Sequence, residues 1–198
     1  MKQFRLPLFA FTAGSSVLLG SHPALAHGSA ASGALSGLSH PLLGIDHLLV
    51  LMAVGTAASL ISSQLLLWAL GGAVLGSLIG ISGVSISGAE ALAAVAIAGV
   101  GALTLLASRL ARTTNPNLLT NLSGAVVAMA IAIHALLHGL EAPQDSSSMI
   151  WWGGALLSST LVCGGTYWVM HRQPIRWIQT AAVAFMALGC GLAVAPLG

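Results

Sequence analysis

The chain is built from apolar stretches of about 20 residues, and almost no charge interrupts them. Hydrophobic residues make up 57% of the 198 residues and charged residues only 5%. A mean hydropathy of +0.96 excludes an ordinary soluble domain. Stretches of about 20 apolar residues match the roughly 30 Å hydrocarbon core of a bilayer. This argues for an all-α integral membrane protein without a soluble module. No long polar linker, low-complexity tract or charge run divides it.

The first 26 residues carry the pattern of a cleavable signal peptide. Lys2 and Arg5 form a positive start, residues 6–19 an apolar core, and Ala24-Leu25-Ala26 a small-x-small cleavage site. Domain organisation is therefore expected as 1–26 signal peptide and 27–198 six-helix transmembrane domain. Cleavage removes the only lysine and one arginine, which leaves four arginines against four acids. No basic patch remains, so nucleic acid is not an expected partner. Cys163 and Cys190 lie in different apolar segments and are expected as free thiols.

Turn signals divide the rest into six expected spans, at 42–61, 64–82, 88–108, 118–140, 149–170 and 177–196. Asn115-Pro116-Asn117, Pro143 and Pro174 mark the strongest breaks. Arginine placement orients them. Arg109, Arg112, Arg172 and Arg176 all fall in expected loops on one side, which the positive-inside rule makes cytoplasmic. The expected setting is a bacterial inner membrane, with both mature termini periplasmic. Trp151 and Trp152 then lie at the outer interface, and Trp168 and Trp177 at the inner one. Gly72, Gly76 and Gly80 stand four apart and let another helix approach closely, within the chain or in a homo-oligomer.

Against this background ionisable residues are costly, and inside a membrane they point to function. Asp46, His47, Glu90, His134, His138 and Glu141 all fall in the outer part of three expected spans. His134, His138 and Glu141 stand at i, i+4 and i+7, on one helix face. His40 precedes Pro41 and lies seven positions before His47, so both face one way if a helix starts at Pro41. Imidazole and carboxylate together suit divalent nickel, cobalt or zinc. Ala135 follows His134, so the His-Glu-x-x-His pattern of a zinc protease helix is missing. Cleavage after Ala26 would expose His27, whose α-amine and imidazole form a chelating pair.

These residues resemble the HupE/UreJ family of nickel and cobalt permeases. The resemblance rests on His-Pro-Leu-Leu-Gly-Ile-Asp-His at 40–47, Gly88-Ala89-Glu90, and His-Ala-Leu-Leu-His-Gly-Leu-Glu at 134–141. The signal peptide followed by His27 and the six expected helices fit as well. The third motif departs from the family pattern. Ala135 stands where glycine is common, and Leu136 where a further histidine is frequent. That departure bears on metal preference more than on transport. The resemblance implies uptake of Ni2+ or Co2+ into the cytoplasm, with the metal as cargo and no permanently bound cofactor. The expected ligands are His40, Asp46, His47, Glu90, His134, His138 and Glu141. The main alternative is a zinc-dependent intramembrane hydrolase acting on lipid amides. A bis-histidine haem protein is weaker, because an i, i+4 pair cannot sandwich one haem.

Overall fold

The computed structural model describes residues 33–111, 113–145 and 147–194. The expected signal peptide and His27 lie outside these residues. All regular structure in the described residues is helical: α1 (Ala34–Leu43), α2 (Ile45–Leu60), α3 (Gln64–Ile81), α4 (Ala89–Leu110), α5 (Pro116–Glu141), α6 (Ser148–Met170) and α7 (Ile175–Val194).

Local chemistry sets the boundaries. Asn115 caps α5, its side-chain oxygen accepting from the backbone N–H groups of Asn117 and Leu118, and Pro116 occupies the first turn. Gly88 precedes α4 with φ +76°, a left-handed conformation that glycine adopts without strain. Asp145 accepts from the backbone N–H of Ser147 just ahead of α6.

The expected first span is not one helix. Gly44 is extended (φ −79°, ψ 113°), and α1 and α2 meet there at 79°. A seven-residue separation on one helix face therefore does not relate His40 to His47. They sit on two helices either side of a bend.

Length and hydropathy qualify α3, α4, α5 and α7 as membrane-crossing, with the bent α1–α2 pair as a fifth candidate. The expected six spans are thus four clear ones. α2 has only 16 residues, about 24 Å at 1.5 Å per residue and short of a bilayer core. α6 has 23 residues, but its tryptophans, glycines, serines and threonines dilute its hydropathy.

α2 is the axis of the bundle and touches all six other helices. Ala53 through Ala58 are buried without interruption, as in a helix enclosed on every side. Elsewhere the outward faces are apolar, with Leu67, Leu78, Met129 and Leu161 strongly exposed, as a lipid-facing surface requires.

Close approach between helices rests on glycine. A Cβ at Gly72, Gly76 or Gly80 of α3 would overlap the carbonyl oxygens of Ala128, Ala132 and Leu136 of α5 respectively. The numbers rise together along both chains, so α3 and α5 run parallel in one register. The glycine face is thus satisfied within the chain. α1 crosses α6 antiparallel through Gly37 against Trp151 and Gly154 against Ala34.

Candidate metal centre

Three helix ends converge to form the site. The last turn of α1 supplies His40, the first turn of α2 Asp46 and His47, and the last two turns of α5 His134, His138 and Glu141. The bend at Gly44 makes this possible by turning α1 aside from α2. A side chain at residue 44 would press on the Asp46 carboxylate and the His47 ring, with a Cβ only 2.9 Å from His47 Nδ1.

Hydrogen bonds set the imidazoles. Asp46 Oδ1 accepts from His47 Nδ1 at 3.2 Å. His134 is 2% exposed, and its Nδ1 donates to the Ala130 carbonyl one turn back at 3.1 Å. In both rings the Nδ1 bond directs the lone pair to Nε2, the usual way an outer partner prepares a histidine ligand. His40 Nε2 and His138 Nδ1 lie 2.7 Å apart, so one of them donates to the other. Glu141 Oε2 is 3.8 Å from His40 Nε2 and 3.7 Å from His138 Nδ1.

The rings crowd together. Centroid separations are 3.7 Å for His47–His138, 4.5 Å for His40–His138 and 5.3 Å for His47–His134. The Nε2 atoms of His47, His134 and His138 are buried without a hydrogen-bond partner. An orphaned buried polar atom costs on the order of 1–3 kcal/mol, so three in one place favour an ion or a water there. His40, His138 and Glu141 also present one donor atom each within 4.8 Å of one another. Of the described residues only these three meet that closely, and imidazole with carboxylate suits a divalent first-row cation.

A cavity of about 320 Å³ opens beside these rings. His40, His47, His134 and His138 line its polar side. Apolar residues of α3, such as Leu70, Val74 and Leu78, and Trp151, Trp152 and Ala155 of α6 form the rest. Trp151 contributes more than an interfacial anchor, since its ring stands 5.1 Å from that of His40. Its membership had no signal in sequence spacing, because α6 reaches the site through its packing on α1 and α2.

Glu90 stands apart. It is exposed in the first turn of α4, at the same end of the bundle, and makes no hydrogen bond or ion pair with the cluster. The structure thus brings together six of the seven described candidates and leaves Glu90 outside their contacts.

The HupE / UreJ protein family matches residues 15–197. "Protein HupE" of Rhizobium leguminosarum bv. viciae is 28% identical over 148 residues, covering 71% of this chain and 73% of that protein. No solved structure matches. With the match running through all three motif segments, the chain belongs to the HupE/UreJ protein family.

Proposed function

We propose that this protein is a secondary permease that takes up Ni2+ or Co2+ from the periplasm into the cytoplasm of a bacterium. The observation that carries the reading is the set of three orphaned, buried Nε2 atoms in a histidine cluster that lines one cavity, with two carboxylates beside them. Family membership supports it. Arg109 and Arg176 in the last turn of α4 and the first turn of α7 lie at the opposite end of the bundle. That asymmetry supports an inner-membrane protein with its histidine end outward and both termini periplasmic.

The ion is cargo, and no resident cofactor is invoked. Neutral imidazoles donate, Asp46 and Glu141 offset charge, and Asp46 holds the His47 ring in its donating tautomer. Glu90 belongs to the route at the same membrane face rather than to the cluster. His27 would add a further chelating pair at the mature N-terminus. Release requires a second conformation, because a permanently tight site does not conduct. The partners are the metal ion and the bilayer, and the function is transport rather than catalysis.

The test is uptake of radiolabelled nickel and cobalt by cells producing wild type or His47→Ala, with each metal as competitor. Wild-type-dependent accumulation of one metal, lost in the variant although the protein still inserts, is the expected result. Accumulation of neither metal by wild type sinks the reading.

One observation favours a second reading, a zinc-dependent hydrolase of lipid amides. The cavity beside the histidines has largely apolar walls formed by outward-facing helices, as a lipid substrate would need. Hydrolysis of a lipid amide by the zinc-loaded protein, together with absent uptake, would favour that reading.

A further inference from the structure

The contact between α2 and α6 changes character along its length. At the histidine end, His47, Val50 and Leu51 of α2 and Ala155 and Ser159 of α6 line the cavity, together with residues of α3 and α5. Toward the arginine end α2 and α6 close. A Cβ at Gly55 would overlap the Cys163 carbonyl oxygen and come within 2.8 Å of Thr166 Cβ and 3.1 Å of the Tyr167 nitrogen. One turn further, His171 Nδ1 lies 3.4 Å from the Ser59 carbonyl oxygen, and its ring stacks on Tyr167 with centroids 5.4 Å apart. Gly55 meets Cys163 and Ser59 meets His171, so the two helices run parallel and share one continuous seam.

The chemistry along that seam is unusual for a lipid-embedded helix pair. Beyond Ser159, the α6 side of the seam carries Cys163, Tyr167 and His171 at successive intervals of four residues. At 1.5 Å per residue the run from Ser159 to His171 covers about 18 Å, from the cavity to the opposite end of the bundle. Cys163 is buried and Tyr167 half-buried against the core, while His171 is exposed. Thiol and imidazole are both ligands for nickel and cobalt. The nearby positive charge is turned away, because the Arg172 guanidinium rests 4.3 Å over the ring of Trp168 on an exposed face.

We propose that the α2–α6 seam is the exit route of the metal, with Gly55 against Cys163 as its closed point and His171 as the ligand that receives the ion at the arginine end. The proposal rests on the permease reading and adds its second half. The cluster of four histidines captures the ion, and a sparse set of single ligands releases it. Separation of α2 from α6 at Gly55 extends the cavity past Cys163 to His171. No bond other than metal coordination forms or breaks.

The test uses full-length protein in liposomes loaded with a metal-sensitive dye, with nickel or cobalt added at the histidine side. Wild type, Cys163→Ala, His171→Ala and Gly55→Val are compared, with Cys190→Ala as a control away from the seam. Binding at the cluster is read separately from quenching of tryptophan fluorescence. For Gly55→Val the maximal rate falls about tenfold, and for Cys163→Ala and His171→Ala about threefold, with KM and quenching unchanged, the signature of a step after binding. In a Cys190→Ser background, nickel also speeds labelling of Cys163 by a small membrane-impermeant methanethiosulfonate. Wild-type maximal rates in both Cys163→Ala and His171→Ala overturn the proposal, even if Gly55→Val does not fold. A parallel loss of binding and transport overturns it too, since that marks a structural role. Absence of both binding and transport in wild type removes the permease reading itself, and the exit route with it.

Discussion

Two parallel helix pairs lie side by side in this bundle and are joined differently. α3 and α5 are locked along three successive turns, each glycine of α3 seated on a carbonyl of α5. α2 and α6 pack closely at Gly55 and meet again where Ser59 faces His171, while Leu51 and Ser159 border the cavity. The locked pair carries His134, His138 and Glu141, so those donors are held on a rigid rod. The other pair borders the cavity beside those donors. On the permease reading, the locked pair is the fixed grip and the other the place that yields.

Breaking the locked pair should have the largest effect. Gly76→Leu forces a branched side chain into the backbone of α5 at Ala132. Overpacking of this kind costs about 1–3 kcal/mol or more, and here relaxation would have to push the paired helices away from each other. The expected result is loss of monodisperse protein in detergent and a lower Tm. A variant as stable as wild type would show that the pair is not locked.

The ligand cluster sharpens the comparison at the next level. Asp46→Asn removes the charge that orients His47 without changing its shape. Loss of such an outer partner lowers metal affinity by about 10–100-fold. Nickel titration followed by quenching of Trp151, whose ring is 5.1 Å from His40, reads that change directly. An unchanged midpoint would show that His47 needs no help from Asp46.

The smallest effect belongs to Glu90→Gln. Because Glu90 makes no contact with the cluster, the same titration should move by less than about twofold, within the range of a remote surface charge. A shift as large as that of Asp46→Asn would place Glu90 among the ligands in another conformation.

Much of this arrangement was legible in the sequence, and the exceptions have physical reasons. His134, His138 and Glu141 share one face because helix geometry fixes i, i+4 and i+7. The break at Asn115-Pro116-Asn117 was legible because those residues have strong backbone preferences. Gly44 was invisible as a break. It is flanked by Leu43 and Ile45 in a long apolar run, and one glycine inside such a run does not by itself end a helix. His40 and His47 were therefore expected on one face, whereas a bend joins them. The glycines at 72, 76 and 80 announced a close partner but not which one, because spacing records a surface and not its complement. Trp151 read as an interfacial residue, and its place beside His40 depends on α1 crossing α6. Glu90 matched the others in membrane depth, which spacing can suggest, but not in lateral position, which it cannot.

The central helix has 16 residues while α5 beside it has 26, about 24 Å against 39 Å at 1.5 Å per residue. α2 alone thus falls short of the roughly 30 Å hydrocarbon core that α5 exceeds. On the permease reading, a dication moved across that core toward a negative interior gains roughly 4.6 kcal/mol per 100 mV, a pull that would act on the cargo without nucleotide hydrolysis.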